Sequence, residues 1–185
     1  MKKHTATPGS EIRGDVMFNM YLSRAYQESD VVRNTVAEIL DKYGIEQIDE
    51  NTWYPTQITL DVFQQIQSDQ TEATFNLVSL GAAYVETAAL PPEIDSISRA
   101  LTTLGLTYDI NVRNAAPGEG YEVEQIDPRH IRVRDNNPFP HDVVYGFIWG
   151  LAQRFCPEGA YAVVVREYED EQHPDAAGAT YHVTW

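Results

Sequence analysis

Apolar positions in the first half of the chain recur at helical spacing. Val32, Val36, Ile39 and Leu40 share one helical face behind a Ser29 or Asp30 cap, and Gly44 supplies a stop. Thr59 can cap a second helix through Gln67, with Leu60, Phe63 and Ile66 on its apolar side. Residues 71–90 predict the longest helix. Phe75, Val78, Ala82 and Val85 form its stripe, and Leu77, Leu80 and Tyr84 widen it. Pro91-Pro92 ends that helix, and Pro92 can open another in which Ile94, Ile97, Leu101 and Leu104 face a core until Gly105.

The period then changes to two. In Tyr108-Asp-Ile110-Asn-Val112 the apolar residues alternate strictly, which predicts a strand. Tyr121 to Ile126 and His130 to Arg134 flank the turn signal Asp127-Pro128-Arg129 and predict a hairpin. A register that sets Val123 opposite Val133 also sets Glu124 opposite Arg132 and Glu122 opposite Arg134. Apolar side chains then face inward and opposite charges meet outside. His130, Arg132 and Arg134 on one face could instead hold an anionic ligand group, but cross-strand pairing is the plainer use. A helix from about His141 to Phe155 follows, then strands over 161–168 and 180–185. Helices followed by strands, one helix and two strands predict an α+β fold. A helical layer from the N-terminal half packs on an antiparallel sheet, with one central helix between strand pairs. Residues 1–14, polar with Pro and Gly, read as a flexible arm. Residues 15–185 read as a single domain, helical over about 29–104 and sheet-forming over about 106–185.

The helix from His141 holds the most information. Val144, Ile148, Leu151 and Phe155 make a core stripe, while Val143, Tyr145, Phe147 and Trp149 spread apolar surface over much of the rest. Gly146 and Gly150 lie one turn apart, and each weakens the helix by about 1 kcal/mol relative to Ala. Close packing accounts for such a face, with sheet backbone, a second subunit or a flat ligand as the approaching partner. Tyr145 and Trp149 beside it could line an aromatic pocket or simply fill the core.

Charge and cysteine content narrow the function classes. Twenty-eight acids against 13 bases give a formal charge of -15, which opposes approach to nucleic acid and to anionic membrane surfaces. A hydrophobic fraction of 43% in 185 residues supports one sizeable core. Cys156 is the only cysteine, so an internal disulfide and a multi-cysteine zinc site are both ruled out, and nothing around it predicts an activated thiolate. Lys2 and Lys3 precede no apolar stretch, and no run approaches the length of a membrane span, so a cytoplasmic location is expected. No nucleophile elbow, phosphate-binding glycine loop or metalloprotease pattern occurs. The five histidines are scattered, and the acids between Glu167 and Asp175 read as a solvated loop rather than a cation cage, so no metal is assigned.

Residues 106–185 resemble the superfamily that includes 4-vinyl reductase domains, haem nitric-oxide-binding domains and the TRAPP vesicle-tethering subunits. The resemblance rests on the hairpin, Asn137-Pro138, the helix with Tyr145-Gly146 and Gly150, the strand at 161–168 and the ending Tyr181-His-Val-Thr-Trp185. It implies a helical layer on an antiparallel sheet, frequent dimerisation and a pocket between the layers. Vinyl-reductase-type members sense small hydrophobic molecules. The chain departs from the family twice. Zinc-bearing members have an acid and two cysteines near the C-terminal strands, whereas residues 167–180 here hold no cysteine. Haem-binding members use a helical histidine and a Tyr-x-Ser-x-Arg motif. Tyr21-Leu-Ser23-Arg24 has the wrong spacing, and no histidine lies between Ser29 and Leu104. The cofactor is therefore left unassigned, with haem unsupported by motif.

Three readings follow. The first is a non-catalytic small-molecule sensor that binds a small hydrophobic ligand through Tyr84, His141, Tyr145 and Trp149, with Gly146 and Gly150 as close-packing or interface positions. A homodimer is its expected assembly. The second is an interaction or scaffolding subunit, in which the aromatic-rich start Met17-Phe18-Asn-Met20-Tyr21 covers a partner. The third is an enzyme of tetrapyrrole or aromatic metabolism. It rests on the resemblance alone, because no paired acid and base mark a catalytic residue.

Overall fold

The computed structural model describes residues 2–17, 29–68, 77–88 and 90–185. The aromatic stretch from Phe18 to Tyr21, the Ser23-Arg24 pair and the first part of the predicted long helix lie outside these residues.

Helices dominate the first half. Helix α1 (Asp30–Lys42) starts at Ser29, whose hydroxyl accepts the Val32 N–H, and buries Val32, Val36 and Ile39. Helix α2 (Thr56–Ser68) buries Leu60, Phe63 and Ile66. It begins three residues before Thr59, so that residue sits on the helix wall instead of capping it. Helix α3 spans Leu77–Thr87. Pro92 does not open the next helix. The chain turns there, with Ile94 N–H donating to the Pro91 carbonyl. Ser96 then caps α4 (Ile97–Thr102) by accepting from Arg99 N–H.

Helix α5 (Leu104–Asn111) replaces the strand expected over 108–112. Apolar residues at every second position from Leu104 to Val112 satisfy two periods at once. Helical packing wins by burying Leu104 and Tyr108, one turn apart, and it leaves Leu106 and Ile110 64% and 52% exposed. Gly105, expected to end a helix, lies within this one because its missing Cβ lets α5 approach the Tyr121 carbonyl.

A small antiparallel sheet sits in the helical half, with strand order β2 (Trp53–Pro55), β1 (Glu11–Arg13) and β3 (Val112–Arg113). β4 (Gly120–Asp127), β5 (His130–Asn136), β6 (Val163–Tyr168) and β7 (Ala179–Thr184) form the second antiparallel sheet, in the order β4-β5-β7-β6. The hairpin register pairs Val123 with Val133, Glu124 with Arg132 and Glu122 with Arg134. Arg132 meets Glu124, and Arg134 bridges Glu122 at 3.6 Å and Glu169 at 2.7 Å, so the arginine row is spent on neighbouring acids. Helix α6 (His141–Arg154) lies on the inner face of this sheet. Its Val144, Ile148 and Leu151 pack with Ile131, Val133, Tyr181 and Val183. The architecture is α+β. No helix among the described residues is long and apolar enough to cross a membrane.

The leading segment, expected as a flexible polar arm, is packed. Its Lys3 side chain is fully buried, with Nζ donating to Asp135 Oδ2 at 2.6 Å and to the Asn137 carbonyl at 2.8 Å. Ala6 N–H donates to Gln57 of α2 and Thr7 Oγ1 to Glu119, while Ile12 enters the core through β1. Part of its polarity therefore serves paired contacts with residues far away in sequence.

Candidate ligand-binding site

The predicted glycine face determines how the two halves meet. α3 lies against α6 at backbone distance. A Cβ on Gly146 would stand 1.9 Å from the Val78 carbonyl oxygen, and one on Gly81 would stand 2.1 Å from that of Val143. Gly150 faces Ala82 and Val85. The approaching partner is thus helix α3, rather than sheet backbone, a second subunit or a flat ligand.

Beside this crossing lies a pocket of about 120 Å³. α6 supplies Val143, Val144 and Phe147, and α3 supplies Leu80, Gly81 and Tyr84. Thr59 and Phe63 come from α2, Leu104 and Tyr108 from α5, and Tyr121 from β4. Phe139 closes one side, its N–H held by the Asn137 side-chain oxygen at 2.9 Å just before α6 begins. Aromatic edges interlock around the space: Tyr84 meets Phe147 at 5.7 Å between centroids, Tyr108 meets Tyr121 at 5.9 Å, and Phe63 meets Phe139 at 6.2 Å. No charged side chain is among the described lining residues.

Of the residues expected at a site, Tyr84 lines this pocket and the others stand elsewhere. Successive residues of a helix advance by about 100°, so Tyr145 and Trp149 fall on the opposite side of α6 from Val143 and Phe147. Tyr145 donates to the Val164 carbonyl at 3.4 Å beneath the Arg166 guanidinium, and Trp149 is 40% exposed. His141 is buried at the start of α6, its Nε2 donating to the Pro174 carbonyl at 2.9 Å. The α6 pair at 143 and 147 was the available signal for the pocket face. The contributions of α2, α5 and β4 are assembled only by tertiary packing.

Burial sets the tyrosine chemistry. Tyr84 is pushed up to about 12 by desolvation, with a smaller push from Asp15. Desolvation also raises Tyr108, whose hydroxyl donates to Glu119 Oε1 at 2.6 Å, as well as Tyr121 and Tyr181. These phenols stay protonated in the folded chain above pH 10, where the unfolded chain releases their protons. Their contribution is therefore fully present below pH 10 and is lost as pH rises through 10 to 12. Lys3 acts with the opposite sign, because burial lowers its amine below 10.5 and the resulting penalty eases as pH climbs to that value. The tyrosines outnumber it. The urea midpoint is expected to fall between pH 9 and pH 11.5, and absorbance titration should show a tyrosine fraction ionising only on unfolding.

The sequence matches no known family profile and no curated protein. Solved structures do match. An H-NOX protein from S. oneidensis in the Fe(II)NO ligation state superposes with a TM-score of 0.62 at 14% identity, over 93% of this chain and 98% of that one. A structure from a study of heme distortion in the H-NOX family gives 0.65 at 11%, over 94% and 95%. An oxygen-binding H-NOX domain related to soluble guanylate cyclases, in its oxygen complex, gives 0.61 at 12%, over 92% and 91%. This chain has the H-NOX fold. Of the branches that its sequence resembles, these structures fall in the haem nitric-oxide-binding one.

The H-NOX fold raises the question of haem, and the residues present do not fit one. None of the five histidines lines the pocket. His130 and His182 face each other at 3.0 Å in the four-stranded sheet, His141 is engaged with Pro174, His173 is exposed, and His4 belongs to the leading segment. The volume of about 120 Å³ is small beside the ~300–1,000 Å³ of pockets for drug-sized ligands, and the backbone contact of α3 with α6 holds the layers together there.

Proposed function

We propose that this chain is a non-catalytic sensor domain on the H-NOX fold that takes a small apolar molecule directly into the pocket between its two halves, without haem. The observation that carries this reading is the pocket wall: mostly apolar and aromatic side chains, with Thr59, Thr107 and Asn111 among them, drawn from α2, α3, α5, α6 and β4, free of charge, around a volume near the ~150 Å³ at which an apolar cavity admits benzene or xenon. Because the lining comes from both halves, an occupant contacts both, and its binding energy couples to their relative position. This is the behaviour expected of the vinyl-reductase type of domain, transferred to a smaller ligand.

Toluene and haemin titrations of the full chain test it. Toluene at about 100 times its Kd should stabilise the fold by about 2.7 kcal/mol, read as a higher urea midpoint. Leu80→Trp, which fills part of the space, should abolish that gain. Haemin should give no one-to-one complex that survives gel filtration. A stoichiometric haem complex, or a toluene effect unchanged by Leu80→Trp, contradicts the proposal.

A further inference from the structure

Among the described residues of the pocket wall, Thr59 carries a buried hydroxyl whose chemistry is unspent. Thr59 lines the pocket from α2, it is 1% exposed, and its Oγ1 has no hydrogen-bond partner. A threonine within a helix ordinarily returns its hydroxyl to a carbonyl one turn back. This chain does so elsewhere: Thr102 donates to the Ser98 carbonyl at 2.7 Å, Thr103 to that of Arg99 at 3.0 Å, and Thr107 to that of Thr103 at 2.9 Å. A buried hydroxyl left unpaired is unfavourable, and such exceptions in native proteins call for a cause.

We infer that Thr59 Oγ1 is the polar anchor of the bound molecule, and that the ligand is a neutral, single-ring compound carrying one hydroxyl or carbonyl oxygen. The inference rests on the proposed ligand pocket and specifies what the pocket accepts. The volume suits about one ring, and the uncharged wall disfavours an ionised group. Phe63, Tyr84 and Phe147 supply ring edges and faces for an aromatic partner. A hydroxyl both donates and accepts, so Thr59 matches a phenol or an aryl carbonyl equally well.

Phenol and toluene, alike in size, separate the anchor from the pocket. Calorimetric titration of the full chain should show both binding. Thr59→Val should weaken phenol about tenfold, the value of one neutral hydrogen bond lost in a desolvated site, and should leave toluene within about twofold. The same variant should not lower the melting temperature of the unliganded protein, because the hydroxyl removed has no partner to lose. If Thr59→Val weakens both compounds alike or neither, or if the wild-type chain binds toluene and not phenol, the anchor is wrong while the pocket stands. If neither compound binds, the pocket reading falls and the anchor falls with it.

Discussion

Lys3→Ala is expected to lower the unfolding free energy by about 3–5 kcal/mol, a large share of the stability of a domain this size. The loss comes from what remains rather than from what is removed. Asp135 has no exposed surface, and without the ammonium at 2.6 Å its carboxylate stays in the interior with the Asn137 N–H at 3.1 Å and the buried His141 Nδ1 at 3.5 Å beside it. The carboxylate's desolvation then stands without the cation that offset part of it. The same substitution frees the Asn137 carbonyl and loosens the leading segment, whose Lys3 N–H and His4 N–H donate to the Asp175 and Pro138 carbonyls. Urea denaturation of the variant measures the loss. Lys3→Met combined with Asp135→Leu should recover most of it, because a buried pair exchanged whole for apolar groups is often neutral. A change below about 1 kcal/mol in Lys3→Ala would mean that the ammonium is not buried in this contact.

Gly146→Ala carries the second large effect, about 3 kcal/mol. Its Cβ would stand 1.9 Å from the Val78 carbonyl oxygen and 2.8 Å from the carbonyl carbon, both rigid backbone atoms, so α3 and α6 must separate. Val143 and Phe147 flank the glycine on the pocket wall, and the variant should also weaken toluene binding. Gly150→Ala is the control. Its contacts at 3.1–3.2 Å are the end of the Val85 side chain and the Ala82 Cα and carbonyl oxygen, far outside the 1.9 Å at Gly146, and the helix gains about 1 kcal/mol of propensity, so a much smaller change is expected. Equal destabilisation by the two substitutions in urea unfolding would contradict the packing described.

The hairpin could be read from the sequence because alternation and charge agree there: a one-residue slip would have set Val123 opposite Arg132 or Arg134 and Glu124 opposite Ile131 or Val133. Gly146 and Gly150 announced a close approach, but not by what, since Gly81 on α3 carried no separate signal. α5 could not be typed by period, because Leu104 and Tyr108 fit a helix while Leu104 to Val112 also fit a strand. The packing of the leading segment depends on Lys3 meeting a residue 132 positions away, which no local pattern records. The same limit governs the pocket. Tyr84 was legible as part of a stripe, whereas Phe63, Tyr108, Tyr121 and Phe139 belong to separate segments that meet only in the folded chain. Tyr145 and Trp149 attracted attention as large aromatics, but helical geometry turns them away from Val143 and Phe147.

A crystal of the full chain pressurised with xenon shows whether the pocket between the two halves is open to an apolar guest. Xenon has no chemistry to recognise except apolar space of the right size, and a cavity of ~150 Å³ suffices. A xenon peak is expected between Leu80, Tyr84 and Phe147. Xenon absent from that position, with the side chains closed over it or a haem found between the two halves, would contradict it.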